Sequence, residues 1–423
     1  MQTTVKRTPL NSWHRNHGAN MADFGGYDMP LWYSSVKDEH LAVLNGAGVF
    51  DTSHMAAVTV AGSGAADLLQ YCFTNDLDAC MGPSKKPLSQ GRCVYGAFLD
   101  ENGHTLDDAI VFFVEADSYM VVINAGMGGA VAEHLQRNLG GREAKVTDLS
   151  DRLGKMDIQG PAAAKILGAV LADPKAVFAG MPYFSFKGHV DATSPLADAV
   201  RLDDGTPILL SRTGYTGEFG FEIFLAPDKI QRLWERLLEA GRSNDITPCG
   251  LAARDSLRAG AVLPLSHQDI GHWPFINHPW PFALPFTADQ TGFTKDFIGR
   301  AALEKQTDVF FTHAFAGKDL RKISAGEGSR VIDADGQAIG TVLTCATDMG
   351  IGRHDGDIFS VASPNKPEGF KAKGLCCGFV KVNRKLSVGQ HVDIADNRRK
   401  ITVTIVDDVR PHRTARKPMA DMI

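Results

Sequence analysis

The sequence lacks most of the features that place a chain in a specialised class. Nowhere in its 423 residues do 18 apolar residues run together, so nothing reads as a membrane-spanning helix. The start, Met1-Gln2-Thr3-Thr4-Val5-Lys6-Arg7, has no apolar signal-peptide core, and the expectation is a soluble, cytoplasmic protein with no membrane partner. Seven cysteines, an odd number, form no Cys-x-x-Cys pair and no Cys/His spacing suited to zinc, which fits reduced thiols. There is no excess of positive charge either. A net charge of -5 supplies no general field for nucleic acid, and the basic residues Arg398, Arg399, Lys400, Arg410, Arg413, Arg416 and Lys417 read as a solvated edge.

Nucleotide and hydrolase motifs are missing too. Gly62-Ser63-Gly64 and Gly126-Met127-Gly128-Gly129 do not complete a GxGxxG loop with an acidic residue about 20 positions on, and they read as turns opening helices. No P-loop, GxSxG, HExxH or EF-hand loop occurs. His54, His267, His272 and His278 are scattered, so no metal is expected.

What is present is ordinary globular composition, 44% hydrophobic and 22% charged, in a chain long enough for two or three domains and a ligand-sized pocket. Residues 58–60, 109–114, 119–123, 208–211 and 221–225 are rich in β-branched and aromatic residues and predict strands. The clearest helix starts at Pro227-Asp228, carries Ile230, Leu233, Leu237 and Leu238 on one stripe and stops at Gly241. Residues 54–72 read as strand-turn-helix and 127–140 as a helix, giving a mixed α/β (α+β) class with antiparallel pairs. Four prolines in the aromatic stretch 272–286 forbid a regular helix or a central strand. Short strands at 329–332, 340–344, 378–382, 391–394 and 401–406 suggest a small barrel or sandwich from about 311 onward.

Three segments carry candidate chemistry. In Thr105-Leu106-Asp107-Asp108-Ala109-Ile110-Val111-Phe112-Phe113 a strand is apolar on both faces, so it is buried on both sides. Asp108 at its mouth is held by turn amides or aimed into a pocket, and pattern alone ranks the turn first. In the second segment, Ser211 to Phe224, three glycines form a tight loop and Glu222 follows inside an apolar strand. Its partner is Arg212, or a ligand with two adjacent N–H donors such as the 2-amino-4-oxo edge of a reduced pterin. The third segment, Gly250 to Gly260, sets Arg254 and Arg258 one helical turn apart, facing an anion or paired with Asp255.

Together these motifs resemble the aminomethyltransferase family, the T-protein of the glycine cleavage system and its tetrahydrofolate-dependent relatives. The resembling blocks include Phe24-Gly25-Gly26, Gly48-Val49-Phe50-Asp51-Thr52-Ser53-His54-Met55, Leu106-Asp107-Asp108, Asn124-Ala125-Gly126, Gln159-Gly160-Pro161, Ser211 to Ile223 and Gly250 to Arg258. The resemblance implies an intertwined α/β folate-binding core (1–285), a connecting segment (286–310) and a C-terminal β-barrel domain (311–423). It implies Asp108 at the reactive part of tetrahydrofolate, Glu222 on the pterin edge, and Arg254, Met55, Asn124 and Arg330 as further folate contacts. Asp108 then points into a pocket after all.

The reaction implied is transfer of an aminomethyl group from a lipoyl thiol, carried by a lipoyl carrier protein, to tetrahydrofolate with release of ammonia. The alternatives are a folate-dependent demethylase yielding 5-methyltetrahydrofolate and a non-catalytic folate-binding protein. The stretch 272–286 and an insertion near 350–372 depart from the T-protein pattern. Trp273, Phe275, Trp280 and Phe282 are there either as packing between domains or, with His54 and Tyr215, as lining of the donor pocket.

Overall fold

The computed structural model describes residues 5–306 and 310–423; of the connecting segment 286–310, residues 307–309 lie outside the described residues, as do residues 1–4. Two sheets face one another through aromatic and aliphatic side chains. The first has five antiparallel strands in the order Cys93–Leu99, Thr105–Glu115, Ser118–Ile123, Ala56–Ala61, Lys145–Asp148. The second has six, in the order Phe186–Gly188, Leu209–Ser211, Gly220–Leu225, Gly154–Gln159, Ala47–Asp51, Ile246–Pro248, with only the last pair parallel.

Alternation along each strand decides what faces what. In Thr105–Glu115, Phe112 and Val114 meet Phe186, Leu209 and Phe224 of the opposite sheet. Ala109 and Val111 turn the other way, onto Leu68, Leu69, Val131 and Leu135 of the helices Ala65–Cys72 and Gly128–Arg137. Both faces are covered, as the sequence predicts.

The second sheet follows the same rule. Phe221, Ile223, Leu225, Met156 and Ile158 face the helix Ile230–Ala240, whose buried stripe is Ile230, Leu233, Trp234 and Leu237. That helix begins after a short turn at Pro227–Lys229 and ends at Gly241, within a few residues of the predicted limits. Trp234 is fully buried, and truncating such a side chain to Ala costs about 3–5 kcal/mol.

The C-terminal strands close a six-stranded barrel in the order Phe311–Gly317, Leu375–Val382, Ala338–Asp348, Arg330–Ile332, His391–Ala395, Lys400–Val406, which resolves the barrel-or-sandwich alternative. Phe315, Val331, Val342, Val380, Ile394, Val403 and Ile405 fill it. Residues within the apparent insertion form a hairpin, Ile351–His354 with Asp357–Ser360. The stretch 272–286 has no regular element beyond a turn at Pro281–Ala283.

Barrel and core are joined by buried charge. Arg410 donates from Nε to Glu218 Oε1 at 3.0 Å and from Nη1 to Asp348 Oδ2. Asp348 Oδ1 also meets His40 Nε2 at 3.0 Å, and His40 Nδ1 meets Ser256 Oγ at 2.7 Å. A Cβ at Gly260 would stand 1.8 Å from Asp348 Oδ2, so only glycine allows this approach. Among the described residues no helix is long and apolar enough to cross a membrane.

Candidate active site

Strand register builds one end of the site. Ala109 pairs with Ile123, so Asp107 and Asp108 lie just past the paired stretch and beside Asn124. The Asn124 side-chain amide bridges both carboxylates, donating to Asp107 Oδ1 at 2.9 Å and to Asp108 Oδ1 at 2.7 Å. Asp107, fully buried, also accepts from Asn124 N at 3.0 Å and Ser266 Oγ at 2.7 Å. Asp108 is half-buried and accepts from Tyr95 Oη at 2.8 Å. The turn amide therefore belongs to Asp107, and Asp108 keeps an open side.

Burial raises the pKa of both carboxyls, and for Asp107 the like charge of Asp108 adds to it; the hydrogen bonds from Ser266, Asn124 and Tyr95 oppose the shift. Two adjacent carboxyls in this state behave as a pair that holds a proton above the ordinary carboxylate range.

The other end lies on the inner face of the six-stranded sheet. Glu222 pairs across the ladder with Asp157, and Phe224 with Lys155, so alternation brings all four to one face. Lys155 Nζ donates to Glu222 Oε1 at 2.5 Å, Asp157 Oδ1 at 2.8 Å and Thr52 Oγ1 at 3.2 Å. Glu222 Oε2 accepts from Thr213 Oγ1, and Arg254 Nη1 donates to Asp157 Oδ2 at 2.8 Å. Arg254 starts the link back to the aspartates: its guanidinium lies 4.9 Å from the ring centroid of Tyr215, whose hydroxyl donates to the Pro264 carbonyl, two residues from Ser266. The result is a polar seam running from Glu222 to Asp108.

His54 is buried, with its ring edge-on to Phe24 at 5.6 Å and its Nδ1 without a hydrogen-bond partner. Burial pushes its pKa down to about 4, against the pull of Asp51 and with the help of Arg254 and Lys155, so the imidazole is neutral. Met55, partly buried, packs with the cluster between the sheets.

The structure overturns one of the pairings the sequence offers and bears out another. Glu222 is paired with Lys155 rather than Arg212, whose guanidinium is spent on the carbonyls of Gly220, Ala415 and Lys417. Arg258 does not face an anion-binding space: it is buried against Asp255 at 2.7 Å, Asp269 and Thr344 Oγ1 at 3.0 Å, so the salt-bridge alternative holds for it. Arg254, with one carboxylate partner and a partly open guanidinium, is different.

Other predicted residues stand apart from the seam. Arg330 is exposed on the barrel strand Arg330–Ile332. Trp280 is buried in the core shared with the barrel, donating Nε1 to Val262 O at 2.9 Å, with Phe379 edge-on at 5.6 Å. Trp273 has Lys381 Nζ 4.0 Å from its ring centroid. Phe282 is the exception: although exposed, its ring centroid lies 5.9 Å from that of Tyr95, so it borders the seam. Phe275 is buried in the same core as Trp280.

Lys155, Asp157, Tyr95, Thr213 and Ser266 belong to the seam without having been expected there. Lys155 and Asp157 did carry a signal, two charges at alternate positions of a strand whose intervening residues, Met156 and Ile158, are apolar. Ser266 had none, because its place depends on an irregular turn at Ser266–Ile270.

A fold of this kind hosts many activities, and comparison with known proteins decides which class this chain belongs to. The GCVT N-terminal domain model matches residues 10–273. The aminomethyltransferase of Streptomyces avermitilis is 35% identical over 365 residues, covering 82% of this chain and 87% of that one. The aminomethyltransferase of Bacillus mycoides is 39% identical over 305 residues, covering 72% and 76%. The crystal structure of glycine cleavage system aminomethyltransferase T from Bartonella henselae is similar with a TM-score of 0.73 and 27% identity over 99% of both chains. The chain belongs to the aminomethyltransferase family and is a one-carbon transferase enzyme.

Proposed function

We infer that this enzyme moves an aminomethyl group from a lipoyl thiol to tetrahydrofolate in the cytoplasm, with a lipoyl carrier protein as donor partner, giving 5,10-methylenetetrahydrofolate and ammonia. The observation that carries the reading is the seam with a carboxylate at either end, in a chain similar along its whole length to a glycine cleavage T-protein.

The residues present fit a reduced folate. The carboxylate of Glu222 keeps lone pairs beyond those used by Lys155 and Thr213, which suits the paired N–H donors of a pterin edge. When bound, tetrahydrofolate supplies the nucleophilic nitrogen that takes the one-carbon unit. Lys155 and Thr213 hold Glu222 in one orientation, so binding loses little to reordering. Asn124 and Met55 wall the reactive end, and Arg254 faces the folate with the donors that Asp157 leaves free.

Asp108 holds or releases a proton at its open carboxyl oxygen and stabilises positive charge that develops on the donor carbon. Tyr95 and Asn124 fix that carboxyl in place. Neutral His54 closes the side of the chamber beside Phe24 and Tyr27 and keeps an acceptor or donor nitrogen free there. Holding the donor carbon and the folate nitrogen in attack geometry accounts for most of the acceleration. Residues 1–285 make up the folate-holding unit in this reading.

The test is to incubate the enzyme with tetrahydrofolate and the aminomethyl-loaded lipoyl carrier protein, following folate mass and ammonia together. Methylenetetrahydrofolate with matching ammonia supports the reading. 5-Methyltetrahydrofolate formed from a methyl donor without ammonia overturns it.

A further inference from the structure

Away from the seam, the turn before the Thr105–Glu115 strand carries a donor set that the aminomethyl chemistry does not use. The ligand atoms of Asp100, His104 and His272 all lie within 4.8 Å of one another. The two imidazoles come from segments 168 residues apart (272 minus 104) and meet edge to face at 4.9 Å between ring centroids. Among the described residues, neither ring has a hydrogen-bond partner, so both keep a lone pair available for a ligand.

The backbone holding these side chains is fixed from both directions. Asp100 Oδ1 accepts from the amides of Asn102 and His104, each at 2.9 Å, and Asp100 N donates to His104 O at 2.9 Å. Gly103, with φ +75°, closes this turn tightly against Leu303, where a Cβ would be 2.7 Å from Leu303 Cδ2. The His272 segment is tied to the turn by Phe275 N donating to Gly103 O at 2.9 Å and by a bridge between His104 and Pro274. The turn amides occupy Asp100 Oδ1 and leave Oδ2 free to ligate.

We propose that Asp100, His104 and His272 form a binding site for a single divalent ion of zinc's class, clamping the 100–104 turn to the start of the 272–286 stretch. Two imidazole nitrogens and one carboxylate oxygen suit zinc, cobalt(II) or nickel(II) rather than magnesium or calcium, which prefer all-oxygen shells. An ion bonded at about 2.1 Å sets its donors about 3.4 Å apart, so side-chain rotation closes the set without moving the pinned backbone. His272 is exposed, which leaves room for water in the remaining position.

The test uses tag-free, chelator-stripped full-length enzyme dialysed against excess zinc chloride, beside His104→Ala and His272→Ala. The parent is expected to take up one more equivalent than either variant, with affinity at this site falling by at least the roughly 10–100-fold that loss of a partner behind a ligand costs. Zinc is also expected to raise the Tm of the parent and not of the variants. Cobalt(II) separates this site from the thiols: weak d–d bands without thiolate charge-transfer absorption support it. Equal uptake by parent and variants, no uptake by the parent, or thiolate bands as the only spectrum overturns the proposal. His272→Gln, a milder change at an exposed position, repeats the comparison should His104→Ala fold poorly.

Discussion

Asp348 and Asp107 have the same side chain in the same degree of burial, and their acidities move in opposite directions. Burial raises both, but Asp348 faces Arg410 and His40, which pull its pKa well below the usual carboxylate range, whereas Asp107 faces Asp108 and stays above it. Arg258 and Arg254 repeat the contrast one helical turn apart, the first enclosed by two carboxylates and the second held by one. Buried charge balanced by its opposite acts as glue between domains; buried charge set beside its like is the arrangement from which chemistry is made.

Breaking the glue has the largest expected effect. Asp348→Ala leaves Arg410 buried with Glu218 as its one remaining carboxylate and takes the partner from His40 Nε2, and should cost about 3–5 kcal/mol in urea unfolding. The pH dependence has a definite sign. Because the folded-state pKa of Asp348 is depressed, its contribution is complete above about pH 4 and is lost only as pH falls through the lowered value.

At Asp108, which keeps an open side, the expected loss is in rate rather than in folding. Asp108→Asn should lower kcat by roughly 10²–10⁴-fold with the urea midpoint nearly unchanged, measured as methylenetetrahydrofolate formed. A large loss of stability with full activity in the remaining folded fraction would make Asp108 glue after all. Lys155→Met should raise KM for the folate roughly tenfold while moving kcat less, and Lys155→Arg should recover part of the loss.

The smallest effect is the most discriminating. Asp107→Asn takes away the carboxyl that burial and the charge of Asp108 keep protonated, so the titration step that the pair contributes above the ordinary carboxylate range should vanish from the pH profile of kcat/KM. For the pair the stability sign is the reverse of that for Asp348. The folded protein retains a proton that the unfolded chain releases near pH 4, so the cost of the pair to stability grows as pH rises above that point.

Much of this architecture is legible in the sequence, because it rests on periodicity. The 227–241 helix, the doubly buried strand around Val111 and the run of short C-terminal strands all follow from spacing alone. Partnership is what spacing does not encode. Glu222 in an apolar strand announces a need for a partner, but Arg212, ten positions away, is the nearer cation, and the true one, Lys155, arrives from a strand 67 residues distant through the ladder register. Arg258 and Arg254 are equivalent on a helical wheel, and only the return of Asp269 and Thr344 from other segments separates them. His104 and His272 were invisible as a pair for the same reason.

The segment after the barrel gives the fold an order of assembly. Arg410 reaches Glu218, Thr414 donates to the same carboxylate at 2.6 Å, and the carbonyls of Ala415 and Lys417 take up Arg212. The glycine-rich loop that leads into Glu222 is therefore completed by residues roughly two hundred positions downstream. During synthesis the first two-thirds of the chain leaves the ribosome with that loop unsupported, and the loop is completed only when residues 410–417 emerge and fold back. A ribosome stalled shortly before them would hold a nearly full-length chain in which Glu218 and Arg212 still lack the partners that complete the loop.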